Sequence, residues 1–253
     1  MNASLLFRSS FAALSLLATT LATPVRAHVH ETVAGTEVMT TSRALSAECR
    51  RLTVISPVKV VLRQGPAASV SLSGAPDDVA RVEAIVEKDR VVIRNKGLLG
   101  RGPEHPVTAV VTLPAVEELR VAQRGQLRTE GLLTGQSLTV IVEGASSVEM
   151  LTALDGGLTT SVSGPATVKV SGQCARYDAD VVGTGRINAA QLATSNATAS
   201  VMGEGDVQLT ASGSLQATVN GPGRVRYSGT NNVTEHVGGG GAVVNQDAAR
   251  RNR

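Results

Sequence analysis

Gly183-Thr184-Gly185-Arg186-Ile187, Gly203-Glu204-Gly205-Asp206-Val207 and Gly221-Pro222-Gly223-Arg224-Val225 are three copies of one phrase, and their spacing decides the fold. Looser copies begin at Gly144, Gly164 and Gly239, so the leading glycines follow one another at intervals of 20, 19, 20, 18 and 18 residues. A degenerate earlier copy lies around Gln123 and Gly125. A unit this short cannot bury an apolar face alone, so the copies must stack on one another.

Aligned on the leading glycine, the side chains sort into columns. Two residues before it stand Val142, Val162, Val181, Val201, Val219 and Val237. Four residues after it stand Val148, Val168, Ile187, Val207, Val225 and Val243. Six before it stand Leu138, Leu158, Tyr177, Ala197, Leu215 and Val233. These are all even offsets, and a strand sends every second residue to the same face. The odd offsets are polar, as with Thr139, Thr159, Asp178, Thr198, Gln216 and Thr234. Period two with β-branched residues and regular turn signals specifies strands rather than helices. The glycines mark corners where φ turns positive. Two copies carry Ser146 and Ala166 in place of the second glycine, so only the first position reads as demanding. The expected fold is all-β: a right-handed parallel β-helix of roughly 20-residue coils with a strand-rich N-terminal capping part. Each coil would bury a few apolar side chains at roughly 1.5–3 kcal/mol apiece, close to the entropy of ordering it, so the stack is what holds.

Outside the repeat the chain divides by texture. Residues 1–27 read as a signal peptide, with Arg8, an apolar run from Phe11 to Ala22 and a cleavage site at Val25-Arg26-Ala27. That run is too short to anchor a mature chain across a bilayer, and no later segment is apolar enough to do so. The expected product is exported, to the periplasm or beyond. Residues 28–43 read as a polar leader, 44–244 as one β-helical domain and 245–253 as a basic, disordered tail. Within the domain, 44–120 is a block of alternating strands with a helical turn at Pro76-Asp77-Asp78-Val79-Ala80, and 121–244 holds the glycine-cornered coils.

Composition narrows the function. Without the signal segment, which holds two arginines and no acid, 22 basic residues face 21 acidic ones. There is no Trp, and both Phe lie in the signal segment. A nucleic-acid groove would need clustered cations with stacking aromatics, so nucleic acid is not an expected partner. No G-x-S-x-G elbow is present, and His28, His30, His105 and His236 lack neighbours suggesting an activated base. No cofactor and no catalytic residue is expected. Cys49 and Cys174 leave open either a disulfide or two buried thiols.

Three candidate sites remain. The first is an outward hydroxyl-rich face of Thr159, Ser161, Asp178, Asp180, Thr198, Ser200 and Thr218, suited to docking cell-envelope glycan or protein. The second reads Asp178 and Asp180, about 7 Å apart along one strand face, as the acid and base of a glycan-cleaving enzyme. The third is the terminus exposed by cleavage after Ala27, where His28 and His30 with the free amine and backbone amides could hold Cu(II) or Ni(II).

The chain resembles the GIN-domain family, described as autotransporter-adhesin head domains of exported bacterial proteins. The residues that carry this are Val54-Ile55-Ser56-Pro57-Val58-Lys59-Val60-Val61-Leu62-Arg63-Gln64-Gly65, then Asp89-Arg90-Val91-Val92-Ile93, then Val111-Thr112-Leu113-Pro114 leading into Leu119-Arg120-Val121 and the coils. The family favours Ser-Gly-Ser-Gly-Asp-Val at corners, and only Gly203-Glu204-Gly205-Asp206-Val207 comes near it. The resemblance implies a β-helical surface module with no assigned chemistry.

Overall fold

A computed structural model describes residues 27–33, 36–96 and 102–247, with side chains from residue 39 onward. The signal segment therefore lies almost wholly outside the described residues, as does most of the basic tail.

The stretch expected as a polar leader contains two strands, β1 (Ala27–Val33) and β2 (Thr36–Ala44), paired antiparallel. Then come β3 (Arg51–Ile55), β4 (Lys59–Gln64), β5 (Ser69–Gly74), the helical turn α1 (Pro76–Ala80), β6 (Val82–Glu87), β7 (Arg90–Asn95) and β8 (Thr108–Leu113). The coils follow as β9 (Glu118–Ala122), β10 (Gln126–Thr129), β11 (Leu133–Gly135), β12 (Leu138–Glu143), β13 (Ser147–Leu154) and β14 (Gly157–Ser163). Longer strands bend round corners in β15 (Thr167–Gly183), β16 (Arg186–Gly203) and β17 (Asp206–Asn220), and β18 (Arg224–Ser228), β19 (Val233–Gly238) and β20 (Ala242–Asn245) complete the stack.

The fold is the expected parallel β-helix, and the register is the one the columns require. Val142 pairs with Val162, Val162 with Val181, Val181 with Val201, Val201 with Val219 and Val219 with Val237. The columns through Val148 and Leu138 run in the same way to Val243 and Val233. Val162, Val181, Val201 and Val219 are buried, whereas Val237 is 45 % exposed because no coil covers it. Tyr177 is fully buried, and loss of hydration pushes its phenol up, with the nearby Thr160 hydroxyl opposing. Cys49 and Cys174 are both free and buried, and desolvation raises both thiols.

The N-terminal block is threaded differently from the coils. On one side of the helix β3 lies between β7 and β9, and on another β4 lies between β8 and β10, all parallel. The chain thus lays down an inner coil, turns outward, and inserts β7 and β8 beyond it. The outermost positions are antiparallel: β6 on β7, and β5 on β8 followed by β2 and β1. Antiparallel strands close this end, where a bare parallel edge would invite further pairing. The opposite end is managed by charge. Glu235 stands in register with Ala217, an inward position in every earlier coil, and an inward-pointing charge discourages another strand from adding there.

The three G-x-G corners at Gly183, Gly203 and Gly221 need both glycines. Gly203 has φ 112°, and a Cβ on it would lie 2.9 Å from the Gly183 carbonyl oxygen of the preceding coil. The second position, which sequence reading took as tolerant, is constrained by packing. A Cβ on Gly205 would collide with a Val181 methyl, and one on Gly223 would lie 2.6 Å from Val201 Cγ1. Ser146 and Ala166 fit in corners whose leading glycines have smaller φ, 68° at Gly144 and 83° at Gly164.

Candidate functional site

Two long faces look outward. On the side built from β9, β12, β14, β15, β16, β17 and β19, pairing aligns Thr139, Thr159, Asp178, Thr198, Gln216 and Thr234 into one row. Two residues further along, Ile141, Ser161, Asp180, Ser200, Thr218 and His236 form a second row. All seven residues of the expected docking face therefore share one patch, with neighbouring strands about 4.8 Å apart. Partial loss of hydration against the sheet raises the Asp180 carboxyl above its ordinary value although the residue is exposed, and the like charge of Asp178 adds to this.

Sequence reading missed a third row on this face. Val182 and Met202 are adjacent in register and 51 % and 48 % exposed, forming an apolar strip between the second row and the corner glycines. Both occupy the odd offset just before a leading glycine, a position that is otherwise polar or glycine in the coils, which is the signal the sequence carries for this strip.

The face made by β4, β10, β13, β15, β16, β17, β18 and β20 has another character. One row runs Lys59, Gln126, Ser147, Thr167, Arg186, Asp206, Arg224, and the next Arg128, Glu149, Lys169, Asn188, Gln208, Arg226. Some cations are neutralised across strands: Lys169 by Glu149 at 2.7 Å, Arg226 by Asp206 at 2.8 Å and Arg63 by Glu130 at 2.8 Å. Lys59, Arg128, Arg186 and Arg224 have no acidic partner among the described residues.

At the N-terminal end of this face the segment 103–106 overhangs the corner. Asp78, 3 % exposed, accepts the Glu104 N–H at 2.7 Å and the His105 N–H at 3.2 Å, and its second oxygen lies 2.8 Å from His105 Nδ1. The Glu104 amide chiefly holds the Asp78 carboxyl below its usual range, and His105 contributes further. Beneath this segment lies the degenerate corner. Gln123 and Arg124 have φ 53° and 67°, and the Gly125 N–H donates to the Ala122 carbonyl oxygen at 3.1 Å. Positive φ at both central residues is the signature of a type I′ turn, which ordinarily selects Asn-Gly.

The structure places the two other expected sites only in part. Asp178 and Asp180 stand on an open face, away from the clefts lined by Arg124 or Cys174. The backbone of His28 and His30 lies in β1, opposite Thr41 and Met39, and their side chains fall outside the described residues. Among the described residues, no three His, Cys, Asp or Glu side chains gather as metal ligands. Nor is any helix there long and apolar enough to cross a membrane.

The profile of the family described as "Putative auto-transporter adhesin, head GIN domain" matches residues 50–231. The chain belongs to that family. Solved structures share the GIN-domain fold at low identity. A protein described as a "putative adhesin" from Bacteroides fragilis NCTC 9343 superposes with a TM-score of 0.77 at 20 % identity, over 82 % of this chain and 96 % of its own. Another so described, from Parabacteroides distasonis ATCC 8503, gives 0.65 at 17 % identity, covering 83 % and 97 %. A "putative lipid binding protein" from the same strain gives 0.62 at 16 %, covering 81 % and 96 %. No protein of curated function matches this GIN domain in sequence.

Proposed function

We propose that the protein is an exported, non-enzymatic adhesion module that docks cell-envelope glycan on the face carrying Thr159, Ser161, Asp178, Asp180, Thr198, Ser200 and Thr218. The register supports this reading. It converts residues scattered over 60 positions of sequence into a flat field of hydroxyls and carboxylates at strand spacing. Hydroxyls both donate and accept, so such a field can follow a saccharide's own hydroxyls, while carboxylates accept from them. The Val182–Met202 strip gives the field a dry border against which a sugar ring's C–H groups can pack. Membership of an adhesin family supports export and binding rather than chemistry.

The test is a triple substitution, Thr159→Lys, Thr198→Lys and Thr218→Lys, on outward positions that leave the core untouched. Binding to isolated envelope polysaccharide should fall at least tenfold while far-UV dichroism stays unchanged. Unaltered adherence would retire this face. The competing enzymatic reading of Asp178 and Asp180 is disfavoured by their open setting, since dividing acid and base roles calls for an enclosed substrate. Product release from a polysaccharide panel, abolished by Asp180→Asn, would reinstate it.

A further inference from the structure

We propose a second binding site, distinct from the hydroxyl face: a cleft at the N-terminal end of the β-helix that holds an acidic polysaccharide through Lys59, Arg124 and His105. The cleft has a volume of about 530 Å³, walled by the corner residues Pro57, Arg124 and Ala145 and roofed by Pro103–Pro106. A second concavity of about 380 Å³ shares Lys59 and Gln126 with it and continues past Arg128 along the sheet. The site is thus an elongated path, better matched to a polymer than to a single small anion.

Charge is what distinguishes it. Elsewhere in the N-terminal coils the outward arginines are spent on neighbours: Arg51 on Asp89 at 3.2 Å, Arg90 on Glu118 at 3.2 Å, Arg94 on Glu83 at 2.9 Å and Arg120 on Glu143 at 2.9 Å. Lys59, Arg124 and Arg128 have no such partner among the described residues. Two carboxylates border the path, and both are engaged: Glu104 by Arg81 at 3.0 Å and Glu149 by Lys169 at 2.7 Å. The buried Asp78 fixes the roof and occupies His105 Nδ1, leaving the other ring nitrogen with no hydrogen-bond partner among the described residues, on a side chain 75 % exposed. With Nδ1–H donating to Asp78, that nitrogen accepts from a hydroxyl in the neutral ring and donates to a carboxylate only in the charged ring. The walls are proline rings, Pro57, Pro103 and Pro106, which offer apolar contact to pyranose faces. No Phe, Tyr or Trp lines the cleft, so the broad aromatic platforms on which single-stranded nucleic acid stacks are missing from it.

Backbone strain points the same way. Every later corner places glycine where φ turns positive, yet this one retains two long polar side chains in that region. Lys88 in the β6–β7 turn also has positive φ, at 57°, so strain alone does not single out a site; two adjacent such residues where the later corners use glycine accord with a role for the side chains. Arg124 is the side chain this conformation delivers to the cleft.

The experiment uses polygalacturonate as the acidic polysaccharide, with dextran and polyphosphate as comparison polymers, at low and moderate salt. Polygalacturonate should bind the wild type with an affinity that falls as salt rises, dextran should not bind, and polyphosphate should bind more weakly than the uronate. The pair Lys59→Ser and Arg124→Gly should lower affinity at least tenfold. Arg186→Ser with Arg224→Ser removes the same charge from the far end of the same face and should cost less than threefold. Because Arg124→Gly relieves strain, its thermal midpoint should not fall, so lost binding cannot be read as unfolding. Equal losses from both pairs, polyphosphate binding as tightly as the uronate, or no uronate binding by the wild type would each overturn the proposal. Loss of this binding with the three threonine substitutions, and not with Lys59 and Arg124, would instead place the uronate on the hydroxyl face.

Discussion

The corner at Gly203 and the corner at Gln123–Arg124 occupy equivalent places in coils four apart and obey different rules. At Gly203 the chain turns with φ 112° so close to the coil below that a Cβ would sit 2.9 Å from the Gly183 carbonyl oxygen. Both torsion and collision forbid a side chain. At the first corner the turn closes on itself through the Gly125–Ala122 hydrogen bond, and Gln123 and Arg124 are left-handed and exposed. There the penalty is torsional only. At Gly203 and Gly221 the coil beneath leaves no room for a Cβ, whereas Gly144 is open to one and uses glycine for its torsion alone; the first corner also has room for side chains and keeps them despite the conformation. A repeat protein can place recognition where its repeat is least regular.

The largest expected effect tests the first half of this contrast. Gly203→Ala meets both obstacles and should destabilise by about 3 kcal/mol, combining left-handed strain with overpacking. Denaturant titration followed by far-UV dichroism would show the midpoint shift, and a loss below 1 kcal/mol would mean the stacked corners are looser than described. Gln123→Gly should act in the opposite direction. Relief of left-handed strain, about 1–2 kcal/mol, is partly offset by the flexibility glycine adds to the unfolded chain, leaving a gain of about 0.5–1 kcal/mol.

How much of this was legible beforehand depends on the kind of information. The valine columns were, because a short repeat with period two leaves only one way for Val162, Val181 and Val201 to be buried together. The expected outward face followed from the same parity. The threading of β7 and β8 outside β3 and β4 was not, since alternation in 44–120 specifies strands without their neighbours. Residues 28–43 looked polar enough for a leader, yet β2 pairs antiparallel between β5 and β1, where one wet face is acceptable. The demand on the second corner glycine escaped notice because it comes from a methyl of the preceding coil. The cationic cleft escaped for a related reason. Lys59, His105 and Arg124 are far apart in sequence and meet only through the pairing of β4 with β8 and β10.

The smallest expected effect is on the regular coils' outer face and depends on pH. Asp180 has its carboxyl raised by partial loss of hydration and by Asp178, so its ionised form is the disfavoured one in the folded state. A raised folded-state value means the fold loses stability as pH climbs through the carboxylate range and regains it below. Asp180→Asn should therefore raise the thermal midpoint slightly at pH 7 and leave it unchanged near pH 3. An equal shift at both values would point to packing rather than charge.

One measurement tests the contrast most directly: thermal unfolding of Gly203→Ala and of the double variant Gln123→Gly, Arg124→Gly beside the wild type. The account predicts a lowered midpoint for the first and a raised midpoint for the second. A lowered midpoint in both would contradict it, showing that Gln123 and Arg124 serve the fold and are not held there against it.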